Sequence, residues 1–350
     1  LSMCVRDAVN EMLGSLAEDA GIRREDVFQV CVVGNTCMHH LFLGISPASL
    51  VHAPYIPAVS ERLVLNAGDY GLAVQERAEL IMLSDIAGYV GADTCGCLLA
   101  IRQDQQEEIS LMIDIGTNGE MVLGNRERMV TCSTAAGPAF EGAKIECGMR
   151  GAAGAVDHVK YEDGKWNYTT VGNKPAVGLC GSGLIDLVAG LLDAGMLDEN
   201  GVLRSGQEKQ GVFILVPPER GGNERGVYLT QKDLGEVQLA KAAIAAGIQM
   251  LMERLGITED DICSVYIAGA FGNYMDPVSA GKIGLLPATL VKKVKPVGNA
   301  AGEGAKIALV NEKEMLEMDE LVRKIEFVEL AASADFQDHF IDELGFETGE

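Results

Sequence analysis

The segment at residues 114–120, which reads DIGTNGE, constrains the fold of this chain more than any other stretch. It directly follows the apolar run 109–113, and this order predicts a buried strand that ends in a tight, glycine-rich turn. Glycines let the backbone N–H groups of such a turn approach an anion, and Thr117 and Asn118 can donate further hydrogen bonds. Asp114 would instead bind hydrated Mg²⁺, with a nucleotide supplying the other oxygens. The alternative is a β-hairpin turn that happens to be acidic.

Composition limits the classes of protein and partner. The 350 residues, 48% of them hydrophobic, fit about two domains with sizeable cores. The formal charge of −23 disfavours a nucleic acid or an anionic membrane as partner, and it leaves a positively charged protein surface open. No signal peptide or membrane-spanning apolar run is visible, so the nine cysteines predict free thiols in a reducing cytoplasm.

Two further glycine-containing segments are candidates for anion binding. In the small-residue loop 135–142, Pro138 suits the first turn of a helix, and Gly137 would then lie at a helix N-terminus, which attracts anions. The glycine run 178–183 opens an amphipathic helix at 184–192, which makes Gly181 and Ser182 a second candidate phosphate loop. A plain tight entry into that helix is the alternative for the second segment.

Further candidate ligand-binding residues lie at the ends of two predicted strands. The run 265–272 reads as a buried strand entering a glycine turn, where Gly269 and Gly272 would let a flat ring approach the backbone. Asn35 follows the predicted strand 27–33, at the end of a strand where open α/β sheets bind ligands. The alternative for Asn35 is a helix N-cap.

The polar run 103–108 is the best candidate for a domain boundary, and it predicts domains at 1–108 and 109–350. Residues 84–101 have the pattern of a closely packed helix with three glycines, and residues 235–255 that of a core helix. A hairpin is predicted around 156–171, with its turn at Asp163 and Gly164.

The order of these motifs resembles the actin, sugar kinase and Hsp70 superfamily. Within it, the chain is similar to the ATP-dependent reductive activators of corrinoid proteins. The strings that carry this resemblance lie between residues 32 and about 310 and read VVGNTCMHHLFLGISPASL, DIGTNGE, STAAGPAFEGAKIECGMRGAAGA, GLCGSGLIDLVAGLL, QLAKAAIAAGI and IAGAFGNYMDPVSAGKIGLLP.

The resemblance implies an α/β, actin-like ATPase (ribonuclease H-like) fold, with two related domains around a nucleotide cleft. It implies ATP and Mg²⁺ as cofactors, and slow ATP hydrolysis coupled to reducing an inactive cobalt(II) corrinoid protein to cobalt(I) in the methyl-transfer system of an anaerobe. The family's [2Fe–2S] ferredoxin-like N-terminal domain and its first phosphate motif, D-I-G-T-T-T, are not found in this sequence. We therefore expect an incomplete first domain and no iron–sulfur cluster in this chain. A corrinoid protein is the expected partner, while a ferredoxin-type electron donor and a homodimer stay open.

The resemblance also assigns roles to residues by motif. The second phosphate motif comprises Asp114, Gly116, Thr117, Asn118, Gly119 and Glu120, and the adenosine motif comprises Gly269, Ala270 and Gly272. Asn35 and Asn299 fall in the two segments that connect the domains. We expect Asp114 to position Mg²⁺ or the attacking water during hydrolysis. Glu120 is the alternative catalytic carboxylate, unless it only caps neighbouring backbone.

Two other functions stay open on the sequence alone. A small-molecule kinase on the same fold would need a polar substrate pocket and a base directed at a hydroxyl, and no pair of residues indicates one. A non-catalytic module that docks on a corrinoid protein is favoured by the missing first phosphate hairpin.

Overall fold

The computed structural model describes residues 1–204, 211–269, 272, 274–331 and 333–346. Its helices are α1 (Ser2–Ala20), α2 (Thr36–Leu43), α3 (Ala92–Ile101), α4 (Gly181–Asp193), α5 (Gln231–Leu255), α6 (Pro277–Lys282), α7 (Ala300–Val310), α8 (Glu312–Val322) and α9 (Ala334–Asp342). Its strands are β1 (Gln29–Val32), β2 (Leu63–Asn66), β3 (Glu79–Met82), β4 (Ile109–Ile115), β5 (Gly119–Gly124), β6 (Met129–Thr134), β7 (Ala155–Glu162), β8 (Lys165–Thr170), β9 (Gly178–Leu179), β10 (Val212–Val216), β11 (Val227–Thr230), β12 (Ile262–Ala268), β13 (Val294–Gly298) and β14 (Glu326–Phe327).

The strands form mixed sheets. The largest has the order β13-β12-β4-β5-β6-β14, in which β12 runs parallel to both β13 and β4. A three-stranded sheet has the order β1-β3-β2, and a second one the order β8-β7-β9. Strands β10 and β11 pair antiparallel. Because parallel strands end at the same edge of a sheet, β4, β12 and β13 bring their following loops close together.

Two compact units make up the chain, and neither is a continuous segment. Unit 1 comprises residues 1–107, 124–131 and 299–327, and unit 2 comprises residues 108–123, 132–298 and 328–350. The chain therefore passes between the units at five points along the sequence. The predicted domain division after residue 108 stays a prediction.

In unit 1, helices α3 and α7 cross at two glycines. A Cβ on Gly96 would lie 2.6 Å from the carbonyl oxygen of Ala301, and a Cβ on Gly304 would lie 1.9 Å from that of Gly96. A buried hydrogen bond joins α2 to the segment before α3, since His39 Nδ1 lies 2.8 Å from Asp85 Oδ2. Asp85 Oδ1 also accepts a hydrogen bond of 2.9 Å from the backbone N–H of Ala92, the first residue of α3.

In unit 2, the long helix α5 packs against the hairpin β5–β6. A Cβ on Gly247 would lie 2.3 Å from Met121 Cε and 2.7 Å from Thr134 Cγ2, so a side chain there would have to displace both neighbours. Helix α5 begins with a capping box, in which Thr230 and Asp233 exchange hydrogen bonds. It ends at Leu255, and the C-cap residue Gly256 has a left-handed conformation. Backbone N–H groups at this cap donate to the carbonyl oxygens of Met252 and Glu253 in the last turn.

The C-terminal segment covers another part of α5. Lys241 of α5 is 2% exposed, and its Nζ donates to the carbonyl oxygen of Gly345. The same Nζ lies 5.5 Å from the ring centroid of Phe346, a side chain that is itself 3% exposed. Gln238, one turn earlier, donates to the carbonyl oxygen of Leu344 over 2.9 Å.

Several sequence expectations for the fold are confirmed. The buried strand before residue 114 is β4, and the hairpin with a turn at Asp163 and Gly164 is formed by β7 and β8. The predicted core helix 235–255 lies within α5. No helix among the described residues is long and apolar enough to span a membrane.

Two expectations are wrong. The helix expected over 84–101 begins only at Ala92, because the preceding segment bends at Ala87 and Val90 and is held by Asp85. No helix follows Pro138, because residues 138–148 form turns. Gly142 has a φ of +79°, and a Cβ on it would lie 2.5 Å from the backbone nitrogen of Met149, so the chain turns back on itself there.

Candidate functional site

The turn between β4 and β5 is the centre of the candidate site in unit 2. The backbone N–H of Gly116 donates to the carbonyl oxygen of Asn118 over 2.9 Å, which closes the turn. Gly119 is buried, and a Cβ on it would lie 2.9 Å from Thr134 Oγ1 and 3.2 Å from Ile244 Cγ1. The turn therefore packs against β6 and α5 at Gly119, while Thr117 at its tip is exposed.

Asp114 lies next to the end of a neighbouring parallel strand. The register of β4 and β12 pairs Asp114 with Ala268, and Gly269 follows with a φ of +91°. A Cβ on Gly269 would lie 2.9 Å from Asp114 Oδ1, so glycine lets the backbone after β12 pack close to the carboxylate. A half-buried carboxylate at the end of a strand has the donor chemistry that a hydrated Mg²⁺ requires.

The other residues of the predicted adenosine motif follow β12. The N–H of Gly269 donates to the carbonyl oxygen of Gly298 over 2.9 Å, which joins the ends of β12 and β13. Gly272 is buried, and a Cβ on it would lie 2.6 Å from Ile267 Cγ2. Ala270 lies outside the described residues. A role of Gly269 and Gly272 in nucleotide binding stays a prediction.

Glu120 differs from Asp114 in its surroundings. Its side chain is 8% exposed, and its Oε1 accepts a hydrogen bond of 3.3 Å from Ser133 Oγ on the neighbouring strand β6. Cys132 is also buried on β6, and this burial raises the pKa of its thiol, so it stays protonated near neutral pH. Glu120 is thus held within the hairpin, and Asp114 is the more accessible of the two predicted catalytic carboxylates.

A contact that sequence reasoning missed joins the turn to the loop after β6. The hydroxyl of Thr117 donates to Glu141 Oε2 over 2.8 Å. The two residues are 24 positions apart, so no periodicity or spacing could have revealed the pair. Gly137, in the same loop, has a φ of +77°, and the nearest atom to a Cβ on it would be Lys144 Nζ at 3.9 Å. Lys144 pairs with Glu236 of α5 at 2.9 Å.

Gly181 and Ser182 form the first turn of α4, as expected from the glycine run. The N-cap is Cys180, whose N–H donates to the carbonyl oxygen of Val156 on β7 over 3.1 Å. Ser182 is 2% exposed, and its Oγ lies 3.4 Å from Cys180 Sγ. The described contacts of this turn are with β7 and with each other, so a role as a phosphate loop stays a prediction.

Asn35 and Asn299 both act as helix N-caps in unit 1. Asn35 Oδ1 accepts from the N–H of Met38 over 2.9 Å, and Asn299 Oδ1 accepts from the N–H of Gly302 over 3.0 Å. These bonds satisfy backbone donors at the starts of α2 and α7. Capping accounts for both side chains, and their assignment to nucleotide binding stays a prediction.

The candidate residues therefore fall into separate groups. The β4–β5 turn with its Asp114, Gly269 at the end of β12, and the loop that carries Glu141 lie together in unit 2. Within the described residues, no group of three or more His, Cys, Asp and Glu side chains is arranged to hold a metal ion.

Comparisons with known proteins identify the family and the fold of the chain. Two family models match the chain: the RACo middle region over residues 1–106, and the C-terminal domain of RACo, the ASKHA domain, over residues 108–350. A solved structure of a "Reductive activator for corrinoid,iron-sulfur protein" superimposes with a TM-score of 0.90 at 37% identity, covering 99% of this chain and 56% of that one.

Two curated relatives give the same result. The "Corrinoid activation enzyme RamQ" of Eubacterium limosum is 34% identical over 96% of this chain and 59% of its own length. The "[Co(II) methylated amine-specific corrinoid protein] reductase" of Methanosarcina barkeri is 29% identical over 80% of this chain and 54% of its own length. The chain thus spans little more than half the length of these relatives. It belongs to the RACo family, of which it carries the middle region and the ASKHA domain, an actin-like ATPase fold.

Proposed function

We propose that this chain binds ATP with Mg²⁺ and couples ATP hydrolysis to the reductive activation of a corrinoid protein. The substrate is a corrinoid protein inactivated as cobalt(II), which takes up one electron and becomes cobalt(I). The names of the relatives, which refer to corrinoid activation and to reduction of a Co(II) corrinoid protein, support this substrate class.

The observation that carries the proposal is the position of the half-buried Asp114 at the end of β4, directly before the glycine-containing turn and beside the end of the parallel strand β12. Gly269 lies so close to this carboxylate that a Cβ on it would be 2.9 Å from Asp114 Oδ1, and its φ of +91° also favours glycine. A cation held by the carboxylate would bring the phosphate to the turn that follows β4. The N–H groups and the hydroxyl of the adjoining turn would then face the phosphate oxygens.

Different residues of this chain would have different roles in ATP hydrolysis. Asp114 would hold Mg²⁺, which neutralises phosphate charge when it is bound. The Gly116 N–H already donates to the carbonyl oxygen of Asn118, so the backbone N–H groups of Thr117 and Asn118 would orient the transferred phosphoryl group. Glu120 is buried and accepts a hydrogen bond from Ser133. It would therefore stabilise the β5–β6 hairpin and would not contact the nucleotide directly.

We propose a reduced [2Fe–2S] centre of the ferredoxin type as the electron donor, either elsewhere in a longer polypeptide or on a separate protein. It gives one electron to cobalt(II), while ATP and water yield ADP and phosphate. ATP couples to the transfer only if the nucleotide states differ in affinity for the corrinoid protein.

The first test is calorimetric titration with a non-hydrolysable ATP analogue and Mg²⁺, on the wild type and on Asp114→Asn. We expect the wild type to bind and the variant to lose affinity by about tenfold or more, as for removal of a charge that faces a cation. Asp163→Asn is the matched control, because it removes the same charge from the exposed turn between β7 and β8. Equal affinity of all three proteins would refute the role of Asp114.

A second measurement separates the competing functions. ATP consumption stimulated by a cobalt(II) corrinoid protein, together with the optical change to cobalt(I) when a ferredoxin-type donor is supplied, would support an activator. Consumption that depends on an added small hydroxyl compound would indicate a kinase. Corrinoid-protein binding without any turnover would indicate a docking module.

A further inference from the structure

The carboxylate of Glu141 accepts a hydrogen bond from the Thr117 hydroxyl, a donor that the phosphate of the proposed nucleotide would also use. The hydroxyl of Thr117, at the tip of the β4–β5 turn, donates to Glu141 Oε2 over 2.8 Å. Thr117 is one of the side-chain donors available to a phosphate at this turn. In the structure this hydroxyl is thus bound to a negatively charged group from another loop.

The backbone around Glu141 is fixed, while its side chain is exposed. Phe140, the preceding residue, is 3% exposed, and Gly142, the next one, packs its backbone against Met149 and Gly148. The N–H of Gly142 also donates to the carbonyl oxygen of Ala139 over 3.0 Å. The loop therefore presents the Glu141 side chain at a defined place, and only side-chain rotation is needed to release Thr117.

The nearest lysine of the loop is engaged elsewhere. Lys144 Nζ lies 2.9 Å from Glu236 Oε2 on α5, so this cation is directed at the helix. Asp114 and Glu120 add two further carboxylates at the ends of the same turn. A phosphate that approaches Thr117 would meet the charge of Glu141 unless a divalent cation arrives with it.

Resting on the proposed function, we infer that Glu141 makes nucleotide binding at this turn depend on the divalent cation. Glu141 accepts the hydrogen bond of the Thr117 hydroxyl, as described above. When Mg²⁺ enters with the nucleotide, the repulsion between Glu141 and phosphate is screened, and Thr117 transfers its hydrogen bond from the carboxylate to a phosphate oxygen. Glu141 is thus a positioning residue that disfavours nucleotide without metal.

The test compares the affinity of a non-hydrolysable ATP analogue with Mg²⁺ and in EDTA. We expect Glu141→Gln to bind more tightly in EDTA, so that the ratio of the two dissociation constants falls by about three- to tenfold. Glu146→Gln is the matched control, since it removes the same charge from an exposed residue of the same loop, whose carboxylate instead accepts from Tyr228. This control should keep the wild-type ratio.

A second background tests whether Thr117 carries the effect. In Thr117→Val there is no hydroxyl to compete for, so Glu141→Gln should change the ratio less than it does in the wild type. An unchanged ratio in Glu141→Gln, or an equal change in Glu146→Gln, would overturn the inference while leaving the proposed nucleotide function intact.

Failure of the proposed function has a different signature. If the wild type binds no analogue in either condition, nucleotide binding and the role of Glu141 toward phosphate are both overturned. Hydrogen exchange of the ligand-free protein then still decides whether the Thr117–Glu141 contact holds the turn. Glu141→Ala should speed exchange of the amides at residues 116–119, and unchanged exchange would show that the contact restrains nothing.

Discussion

Gly96 and Gly304 meet backbone to backbone where α3 and α7 cross in unit 1. A Cβ on Gly304 would lie only 1.9 Å from the carbonyl oxygen of Gly96, which is closer than any real Cβ contact. The two helices, nearly 200 residues apart along the chain, can approach this closely only because both positions lack side chains.

This crossing predicts a large effect of a single methyl group. Gly304→Ala should lower the free energy of unfolding by about 1–3 kcal/mol, because the helices must separate to admit the new Cβ. Urea denaturation measures this directly. Gly235→Ala on α5 is the control, since a Cβ there meets nothing within 4 Å and should be neutral or stabilise by up to about 1 kcal/mol. Equal stability of both variants would contradict the close crossing.

Gly269 allows a prediction about the candidate site. Gly269→Ala combines an unfavourable φ of +91° with a Cβ 2.9 Å from Asp114 Oδ1, so it should abolish binding of a Mg²⁺–ATP analogue. Gly256→Ala has a similar φ, +69°, but nothing within 4 Å of its Cβ. Both variants should lose stability, by about 1 kcal/mol for the backbone alone, and only Gly269→Ala should lose the ligand. Titration calorimetry would refute the prediction if both bound alike.

The C-terminal segment should stabilise α5 through Phe346. Phe346→Ala removes a ring that is 3% exposed and lies over the buried Lys241, so we expect a loss of about 3 kcal/mol in the free energy of unfolding. Exchange of the amides in α9 should become faster, because the segment after this helix is no longer anchored. Ile341→Ala, at a position of α9 that is 63% exposed, should change stability by less than about 0.5 kcal/mol.

Asp186 of α4 should give unit 2 an unusual dependence on pH. The carboxylate is 4% exposed and accepts from His158 Nδ1 over 3.0 Å and from the N–H of Val159 over 3.3 Å. Burial nevertheless raises its pKa in the folded state. Because the folded state then holds the proton more tightly than the unfolded state, this group stabilises the fold at low pH and loses that contribution as pH rises through its folded pKa.

The comparison of wild type with Asp186→Asn measures this effect. The stability of the variant relative to the wild type should increase as the pH rises from below the normal carboxyl range toward neutral. Asp26 provides the opposite case, since its hydrogen bond to the side chain of Arg23 lowers its pKa. Asp26→Asn should therefore lose stability relative to the wild type as pH rises. Parallel pH curves for the two variants would contradict the assignment.

The sequence predicted those parts of the fold that depend on local order. The apolar run before Asp114 identified β4, and the Asp163–Gly164 pair identified the turn between β7 and β8, because a strand period and a turn residue are both local signals. The helix expected after Pro138 was wrong because Gly142 turns the chain back against Met149, a contact set by distant packing. Likewise, the capping role of Asn35 was visible locally as an alternative, but the cap that Asn299 forms and the bond between Thr117 and Glu141 were not predicted.

Because the chain passes five times between its two units, unit 1 contains residues from both sides of the boundary near residue 107. The family models meet near residue 107, which suggests two modules joined end to end. The crossing of α3 with α7, however, joins residues on either side of that boundary. A gene segment that encoded residues 108–350 alone would leave the glycine face of α7 without its partner helix. We therefore expect a chimera joined at this boundary to be stable when both parts have small residues at the crossing of α3 and α7.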